Sequence, residues 1–347
     1  MLGITVGAAG SASPESGKGE TESHEQEGKF DANAFIMDHV ADSHEWHILT
    51  KKDGTHVSIY LPVIIYDKYS GFHLFSSEKL AHGHSYKGYA IAHEGKYTGK
   101  IIRVDAEGHH DGSKPPLDLS VTKAVFGMMV ASVILLLLML GLARSYRKRG
   151  ISAPKGFQGF LEPIILFVRD DIAIPNIGEN KYSRYMPYLL TVFFFILINN
   201  LLGLVPFFPF GANVTGNVNV TFVLAFITFL ITQFSGNRSH WRHVFAAPGV
   251  PFWLLPIMIP IEIIGLFSKP FALMIRLFAN ITAGHIIVLS LVALIFIFES
   301  VFVAPISIFF VLFMDFIELL VAFLQAYVFT LLSALFIGMA TAEPDHH

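Results

Sequence analysis

Five ionisable side chains stand inside otherwise apolar stretches in the second half of the sequence. They are Glu262, Arg276, His285, Asp315 and Glu318. A charged or titratable group in an apolar helix costs free energy, and such groups usually serve a function such as ion or proton movement. These five residues are therefore the first candidates for a functional site.

Arg276 is the most informative of the five, because a guanidinium stays charged at any accessible pH and cannot carry a proton. Its role must be electrostatic: it can hold a carboxylate in the ionised form and block a direct proton wire. Asn280 lies one helical turn further along the same face, followed by Ala283, a small residue that lets another helix approach closely. The alternative is an arginine that reaches the headgroups or pairs with an acid of its own chain.

The other polar groups lie on the opposite side of the segment that carries Arg276 and on the last apolar segment. His285 is nine residues from Arg276, which directs it to the opposite side of the helix. Asp315, Glu318 and Gln325 share one stripe of the last apolar segment, which indicates a wet path or a hydrogen-bonded seam. The simpler interpretation is that these groups only join two packed helices.

Counting from the turn between the last two segments predicts the depth of each group. With a turn centred near residue 302, His285 lies 17 residues before it and Glu318 lies 16 after it, so both occupy one level. Arg276 lies 26 before and Gln325 lies 23 after, an offset of about 4.5 Å. The hairpin should therefore carry two polar levels, with His285 and Glu318 nearer the outer turn.

The composition indicates that these apolar segments lie in a membrane. The chain has 347 residues, 53% of them hydrophobic, with 33 Phe and a net charge of -3. It contains no Cys, which excludes disulfides, thiolate metal sites and a cysteine nucleophile. Most of the acidic residues and 11 of the 16 His lie before residue 117.

The apolar runs predict an all-α membrane domain with five crossings, over residues 121–143, 187–205, 220–234, 271–298 and 302–337. Basic clusters at 144–149 and in a loop at 238–243 mark the cytoplasmic side, so the N-terminus lies outside and the C-terminus inside. Residues 156–174 are expected to form a cytoplasmic surface helix, and 252–267 a re-entrant or surface element. A 28-residue helix is about 42 Å long, so the last two helices must tilt or bend.

The first third of the chain predicts a separate region. Residues 1–29 are a disordered or residual signal segment, 30–116 an extracytoplasmic region with short strands, 117–343 the membrane domain and 344–347 a cytoplasmic tail. A turn at 52–55 separates two of the strands. Histidine pairs such as His44 with His47, His82 with His84, and His109 with His110 could bind a metal, but chance clustering on a hydrated surface is the preferred interpretation.

Three motifs in this order resemble subunit a of the F-type ATP synthase. They are SKP at 268–270 with RLFAN at 276–280 and AGH at 283–285, LQAYVF at 324–329, and NNLLGLVPF at 199–207. The resemblance covers roughly residues 117–343, and three spaced motifs make it specific. Residues 1–116 look like an extension that many members lack.

The resemblance implies a stator that works against a rotating ring of c subunits, held by peripheral-stalk b subunits in a bacterial plasma membrane. Arg276 matches the arginine that faces the ring carboxylate, and Asn280 and Gln325 match its polar neighbours. His285 and Glu318 match two half-channel positions, although some members carry the acid first and the histidine second.

The same resemblance implies that ions, most simply protons, enter by one half-channel and leave by the other. Asn200 belongs to the earlier asparagine motif, and no role is carried over to Asp315. No cofactor or metal is implied, and ATP chemistry would occur in other subunits, so the chain itself would not be an enzyme. Na⁺ stays open as the ion because its coordinating carboxylate is expected on the ring.

Two other classes of function fit the residues alone. A stand-alone transporter or channel would use Arg276 to bind an anionic substrate in a central cavity and would need no partner. A structural membrane anchor would use its polar groups only to join helices and would tolerate replacement of Arg276.

Overall fold

A computed structural model describes residue 36 and residues 40–50, 56–92, 97–105, 110–149, 156–205, 210–245, 252–298 and 303–342. The predicted segments 1–29 and 344–347 lie outside these residues. Short strands come first and long helices follow. The strands are β1 Glu45–Thr50, β2 His56–Tyr60, β3 Pro62–Asp67, β4 Gly71–Ser76, β5 Tyr89–Ile91, β6 Ile101–Arg103 and β7 Leu117–Asp118.

The strands form three small antiparallel sheets, ordered β1-β2, β4-β3-β7 and β5-β6. β1 and β2 flank the predicted turn, whose residues lie outside the described part of the chain. In β3 the side chains alternate between the two faces of the sheet, and Val63 and Ile65 are fully buried. They pack with Phe75, Leu80 and residues of β5 and β6 into one small apolar core.

A buried carboxylate fastens two of these sheets together. Asp67 at the end of β3 accepts hydrogen bonds from Tyr89 Oη (2.6 Å), Ser70 Oγ (3.0 Å) and the Arg103 guanidinium. Burial by itself would raise the pKa of Asp67, but these hydrogen bonds outweigh it and hold the pKa well below its usual range. The ionised carboxylate therefore stabilises the domain at neutral pH.

The rest of the chain is helical. The helices are α1 Lys123–Arg149, α2 Phe157–Phe167, α3 Ile174–Ile177, α4 Tyr182–Gly203, α5 Val218–Ser235, α6 Arg238–Phe245, α7 Leu255–Phe298 and α8 Val303–Thr341. Among the described helices, five are long and apolar enough to cross a membrane: α1, α4, α5, α7 and α8. The predicted all-α membrane domain with five crossings is confirmed in its number of helices and its order.

Two local predictions are wrong. Residues 252–267 do not form a separate re-entrant or surface element, because α7 runs unbroken from Leu255 through Pro260 and Pro270. An apolar environment favours a continuous helix, since backbone groups must be paired internally, and side chains can replace bonds that proline removes. The basic segment at 238–243 is a helix, α6, and not a loop.

The segment predicted as a surface helix is helical, but it is not a free surface element. α2 and α3 are joined by a π-helical turn, Val168–Ala173, in which Val168, Ile172 and Ala173 are fully buried. These residues belong to one apolar core with side chains of α4 and α8. One side of the segment is therefore fixed to the membrane helices.

The last two helices are far longer than their neighbours. At about 1.5 Å per residue, α7 is about 66 Å long and α8 about 58 Å, against about 27 Å for α5. α7 packs antiparallel to α5, because Phe267 meets Phe229 (5.4 Å) and Thr282 Oγ1 donates to the Gly216 carbonyl (3.4 Å). The end of α7 beyond Thr282 therefore passes the first turn of α5, so the hairpin must tilt or bend to stay in a bilayer.

Candidate functional site

Arg276 lies on an exposed face of α7. Asn280, Ala279 and Ala283 are exposed on the same side, and Ile287 continues the stripe. Arg276 makes no hydrogen bond or ion pair with any other residue that the structure describes. Pairing with an acid of its own chain is thus not observed in the described part. The small residues around it leave room for another helix.

Glu318 of α8 reaches the backbone of α7 beside His285. A methyl group built on Gly284 would lie 2.6 Å from Glu318 Oε1, so only glycine leaves room for this carboxyl group. Glu318 Oε1 is buried and has no hydrogen-bond partner among the described residues. The contact agrees with the predicted common level of His285 and Glu318.

The His285 ring approaches the end of α4. Its Nε2 would lie 3.7 Å from a methyl group on Gly203, the last residue of α4. The hairpin and α4 therefore approach each other closely at the level where both titratable groups lie. Sequence reasoning missed both glycines, and only their place inside the matching motifs could have drawn attention to them.

The deeper level holds Arg276 and Gln325. Arg276 lies 22 residues before Phe298 and Gln325 lies 22 residues after Val303, so this count gives them no offset where three residues were predicted. By the same count His285 and Glu318 differ by two residues (13 and 15), and their common level rests on the contact of Glu318 with Gly284. Gln325 is buried (4% exposed), whereas Arg276 points outward.

The stripe predicted on α8 runs from the surface into the interior. Asp315 is exposed, Glu318 is half-buried and Gln325 is buried. Asp315 lies on the same helix one turn before Glu318, close enough for the two carboxyl groups to interact electrostatically.

Asn200 connects three parts of the membrane domain. Its Nδ2 donates to the Ala322 carbonyl of α8 (3.2 Å), and its Oδ1 accepts from Thr215 Oγ1 in the segment before α5 (2.6 Å). All these groups are buried, so the bonds hold α4, α8 and this segment in fixed positions. Thr215 and Thr282 were not singled out from the sequence, because lone threonines in apolar segments are common.

Glu262, the fifth candidate, belongs to a different part of the molecule. Its Oε1 lies 3.5 Å from His243 Nδ1 of α6, at the edge of a cavity of about 310 Å³ that Lys269 and His240 also line. Burial, together with the positive charges of Lys269 and His243, lowers the pKa of His240. This second polar cluster lies near the C-terminal end of α5, whereas Thr282 lies near its N-terminal end.

The N-terminal histidines do not form a metal centre in the part of the chain that is described. No group of three or more His, Asp or Glu residues there could hold a metal ion. His44 instead contacts Asp118 (3.1 Å). The side chains of His47, His82 and His109 lie outside the described residues.

Comparison with known proteins gives two family matches. Residues 125–338 match the family described as ATP synthase A chain, and residues 35–119 match a domain of unknown function. Relatives named ATP synthase subunit a occur in Chloroherpeton thalassium (52% identical, covering 66% of this chain and 69% of the relative) and Anaeromyxobacter sp. (44%, covering 72% and 63%). A relative from Chlorobaculum tepidum, named ATP synthase subunit a 2, is 51% identical and covers 66% of each chain.

Proposed function

Because this chain belongs to the ATP synthase A chain family, we propose that it carries protons across the membrane inside an F-type ATP synthase. It is an integral membrane component, and its partners are the c-subunit ring and the peripheral-stalk b subunits. It supplies two offset half-channels to the ring and performs no ATP chemistry itself. The membrane is a bacterial plasma membrane, with the N-terminus outside and the C-terminus in the cytoplasm.

The observation that carries this proposal is the contrast between the two sides of α7. Arg276 is exposed and unpaired among the described residues, on a face with small neighbours, whereas His285 and Glu318 are half-buried between helices. Arg276 lies in a helix that is long and apolar enough to span the membrane, where a permanent cation needs a negatively charged or polar partner. The ring carboxylate supplies that charge.

The geometry suggests how a proton moves. It reaches the His285 and Glu318 level from the outer side, and these two groups pass it to a ring carboxylate. The neutral carboxylic acid then turns with the ring through the lipid and returns to the inner half-channel, where it loses its proton. Arg276 holds the ionised carboxylate and prevents a proton from crossing directly.

The remaining candidates have supporting roles in this scheme. Asn280 lies beside Arg276 on the ring-facing side, and Gln325 lies at the same level inside the hairpin, where both can hydrogen bond to groups near the arginine. Asn200 positions α8 through the Ala322 carbonyl. Asp315 is exposed one turn from Glu318 and would extend the outer path toward the ring. The inner cluster of Glu262 and His243 would face the cytoplasmic exit.

A stand-alone transporter is not favoured, because Arg276 lies on an exposed face and not in an enclosed cavity. A purely structural anchor is tested by replacing Arg276. We expect Arg276→Ala to abolish ATP-driven proton pumping in vesicles while the complex still assembles and co-purifies. Arg276→Lys should also fail in large part, because a desolvated ammonium can lose its proton and lacks the planar fork.

Arg184→Ala is the matched control, because it removes an exposed arginine from the first turn of α4 and should leave pumping unchanged. Pumping at the wild-type rate in Arg276→Ala vesicles would contradict the proposed function.

A further inference from the structure

The strands β1 to β7 and the residues between them form the N-terminal domain. Asp42 joins this domain to the membrane helices. Its Oδ1 accepts from the backbone N–H of Ala124 in the first turn of α1 (3.0 Å), and its Oδ2 accepts from Asn217 Nδ2, the residue before α5 (3.2 Å). The Ser43 carbonyl also accepts from the Lys123 N–H (2.9 Å). One carboxylate therefore fixes the domain against the outer ends of two membrane helices.

Asp42 lines three cavities, and two of them lie between the N-terminal domain and the membrane helices. The first, of about 260 Å³, is also lined by Lys123, Asn213 and Asn217 and reaches Phe278 of α7. The second, of about 450 Å³, shares Asp42 and Asn217 and opens toward residues of the N-terminal domain such as Lys100 and Asp118. The N-terminal domain thus forms part of the wall of a space that extends to the middle of α7.

Three buried polar atoms mark a route from this space toward Glu318. Asn213 Nδ2, Asn199 Oδ1 and Glu318 Oε1 are buried and lack a hydrogen-bond partner among the described residues. Asn213 lines the first cavity, and Asn199 lines a smaller one of about 10 Å³, close to the space that one water needs. Buried polar atoms are normally paired, so water is the expected partner of all three.

Hydrogen bonds connect these positions to the candidate site. Asn213 Oδ1 accepts from the Gly216 N–H (2.9 Å), and the Gly216 carbonyl accepts from Thr282 Oγ1 (3.4 Å). Thr282 lies one helical turn from His285 on α7. The segment between α4 and α5 therefore carries polar groups from the Asp42 cavity to the level of His285 and Glu318.

We propose that the N-terminal domain forms the outer mouth of the proton path and that Asp42 is the first protein group to exchange protons with outer water. This inference rests on the proposed function and gives a role to a domain whose family has none assigned. The Asp42 carboxylate accepts a proton from a hydronium ion and releases it to water in the cavity beside Asn213. The domain keeps this entrance polar and fixed above α7.

The first test uses the absence of cysteine from the chain. Asn213→Cys is labelled in right-side-out vesicles with a membrane-impermeant methanethiosulfonate, and the complex is then purified and reconstituted. We expect the label to react and to lower ATP-driven pumping by about tenfold or more, because a bulky group fills the mouth. Glu78→Cys is the control: it is exposed in the N-terminal domain, lines neither cavity, and should react without slowing pumping.

The second test is Asp42→Asn, which keeps a side chain of the same shape and can keep the hydrogen bond from the Ala124 N–H, but replaces the oxygen that accepts from Asn217 Nδ2 by a donor. The charged and titratable groups that line cavities together with Asp42 are His44, Glu45, Lys100, Asp118 and Lys123. The rate of ATP synthesis should fall increasingly as the outer pH rises, because an acceptor matters most when protons are scarce. A purely structural Asp42 would cause the same fractional loss at every pH.

Two outcomes would overturn the proposal: complete labelling of Asn213→Cys with unchanged pumping, or failure of that cysteine to react from outside. Arg276→Ala is measured in parallel. If Arg276→Ala pumps normally, the proposed function itself is wrong. If Arg276→Ala is inactive while labelled Asn213→Cys pumps at the unlabelled rate, only the outer mouth is wrong.

Discussion

At the scale of single residues, the polar groups differ in what surrounds them. Arg276 is exposed and needs a partner from outside the chain, whereas Glu318 is half-buried and its buried Oε1 has no hydrogen-bond partner among the described residues. A buried carboxyl oxygen without a partner is costly unless water or a proton reaches it. This favours a proton relay at Glu318 over a static pair that only joins two helices.

Glu318→Gln tests the relay, because glutamine fills the same space but cannot exchange a proton. We expect proton conduction to fall on the order of a hundredfold and its pH dependence to change, with normal assembly of the complex. Glu78→Gln, at an exposed site in the N-terminal domain, is the control. A Glu318→Gln complex that is poorly assembled but keeps the wild-type pH profile would show that the residue is structural.

At the scale of helices, α7 and α8 can only meet as they do because small residues lie between them. Gly284 leaves space for the Glu318 carboxyl group, and Ser307 Oγ donates to the Leu291 carbonyl nearer the turn (2.9 Å). Together these contacts fix the register of the hairpin. The register in turn decides which polar groups share a level.

Gly284→Ala should displace the carboxyl group without unfolding the hairpin, since the new methyl group meets the end of a flexible side chain. A displacement of about 1 Å can slow a reaction by up to about a hundredfold, so we expect slower proton pumping by a complex of normal composition. Gly265→Ala, on the same helix with nothing within 4 Å of the added methyl group, should pump normally. Equal rates for the two variants would show that the position of this carboxyl group does not matter.

At the scale of the whole molecule, the two ends of the bundle differ. At one end, Lys181 Nζ and Asn237 Nδ2 both donate to the Thr341 carbonyl at the end of α8, next to the basic helix α6. At the other end, the N-terminal domain sits on α1 and α5 through Asp42. Basic groups concentrate on the cytoplasmic side of membrane proteins, so the domain is expected outside.

Protease digestion tests this orientation. Added to the outer face of sealed vesicles, a protease should cut the N-terminal region and leave His347 protected. In inside-out vesicles the pattern should reverse, with loss of the C-terminal tail and an intact N-terminal domain. Removal of the tail from the outer face would contradict the five-crossing orientation.

The sequence by itself determined the number of membrane helices, the candidate residues and the family, and the family match confirms the resemblance. These features depend on local composition and on short motifs, which are properties of neighbouring residues. It also predicted that His285 and Glu318 share a level, because equal counts from a turn give equal depth in an antiparallel pair. For Arg276 and Gln325, the count from the observed helix ends gives a smaller offset than the predicted three residues.

Only the tertiary structure decided how distant segments meet. The unbroken course of α7 through its prolines, the outward direction of Arg276, and the contact of Glu318 with Gly284 all depend on packing between helices. The bond between Asp42 and Asn217 joins residues 175 positions apart, and no local pattern marks either of them. Such contacts depend on the shape and hydrogen bonding of surfaces that folding brings together. The order of residues along one segment does not specify them.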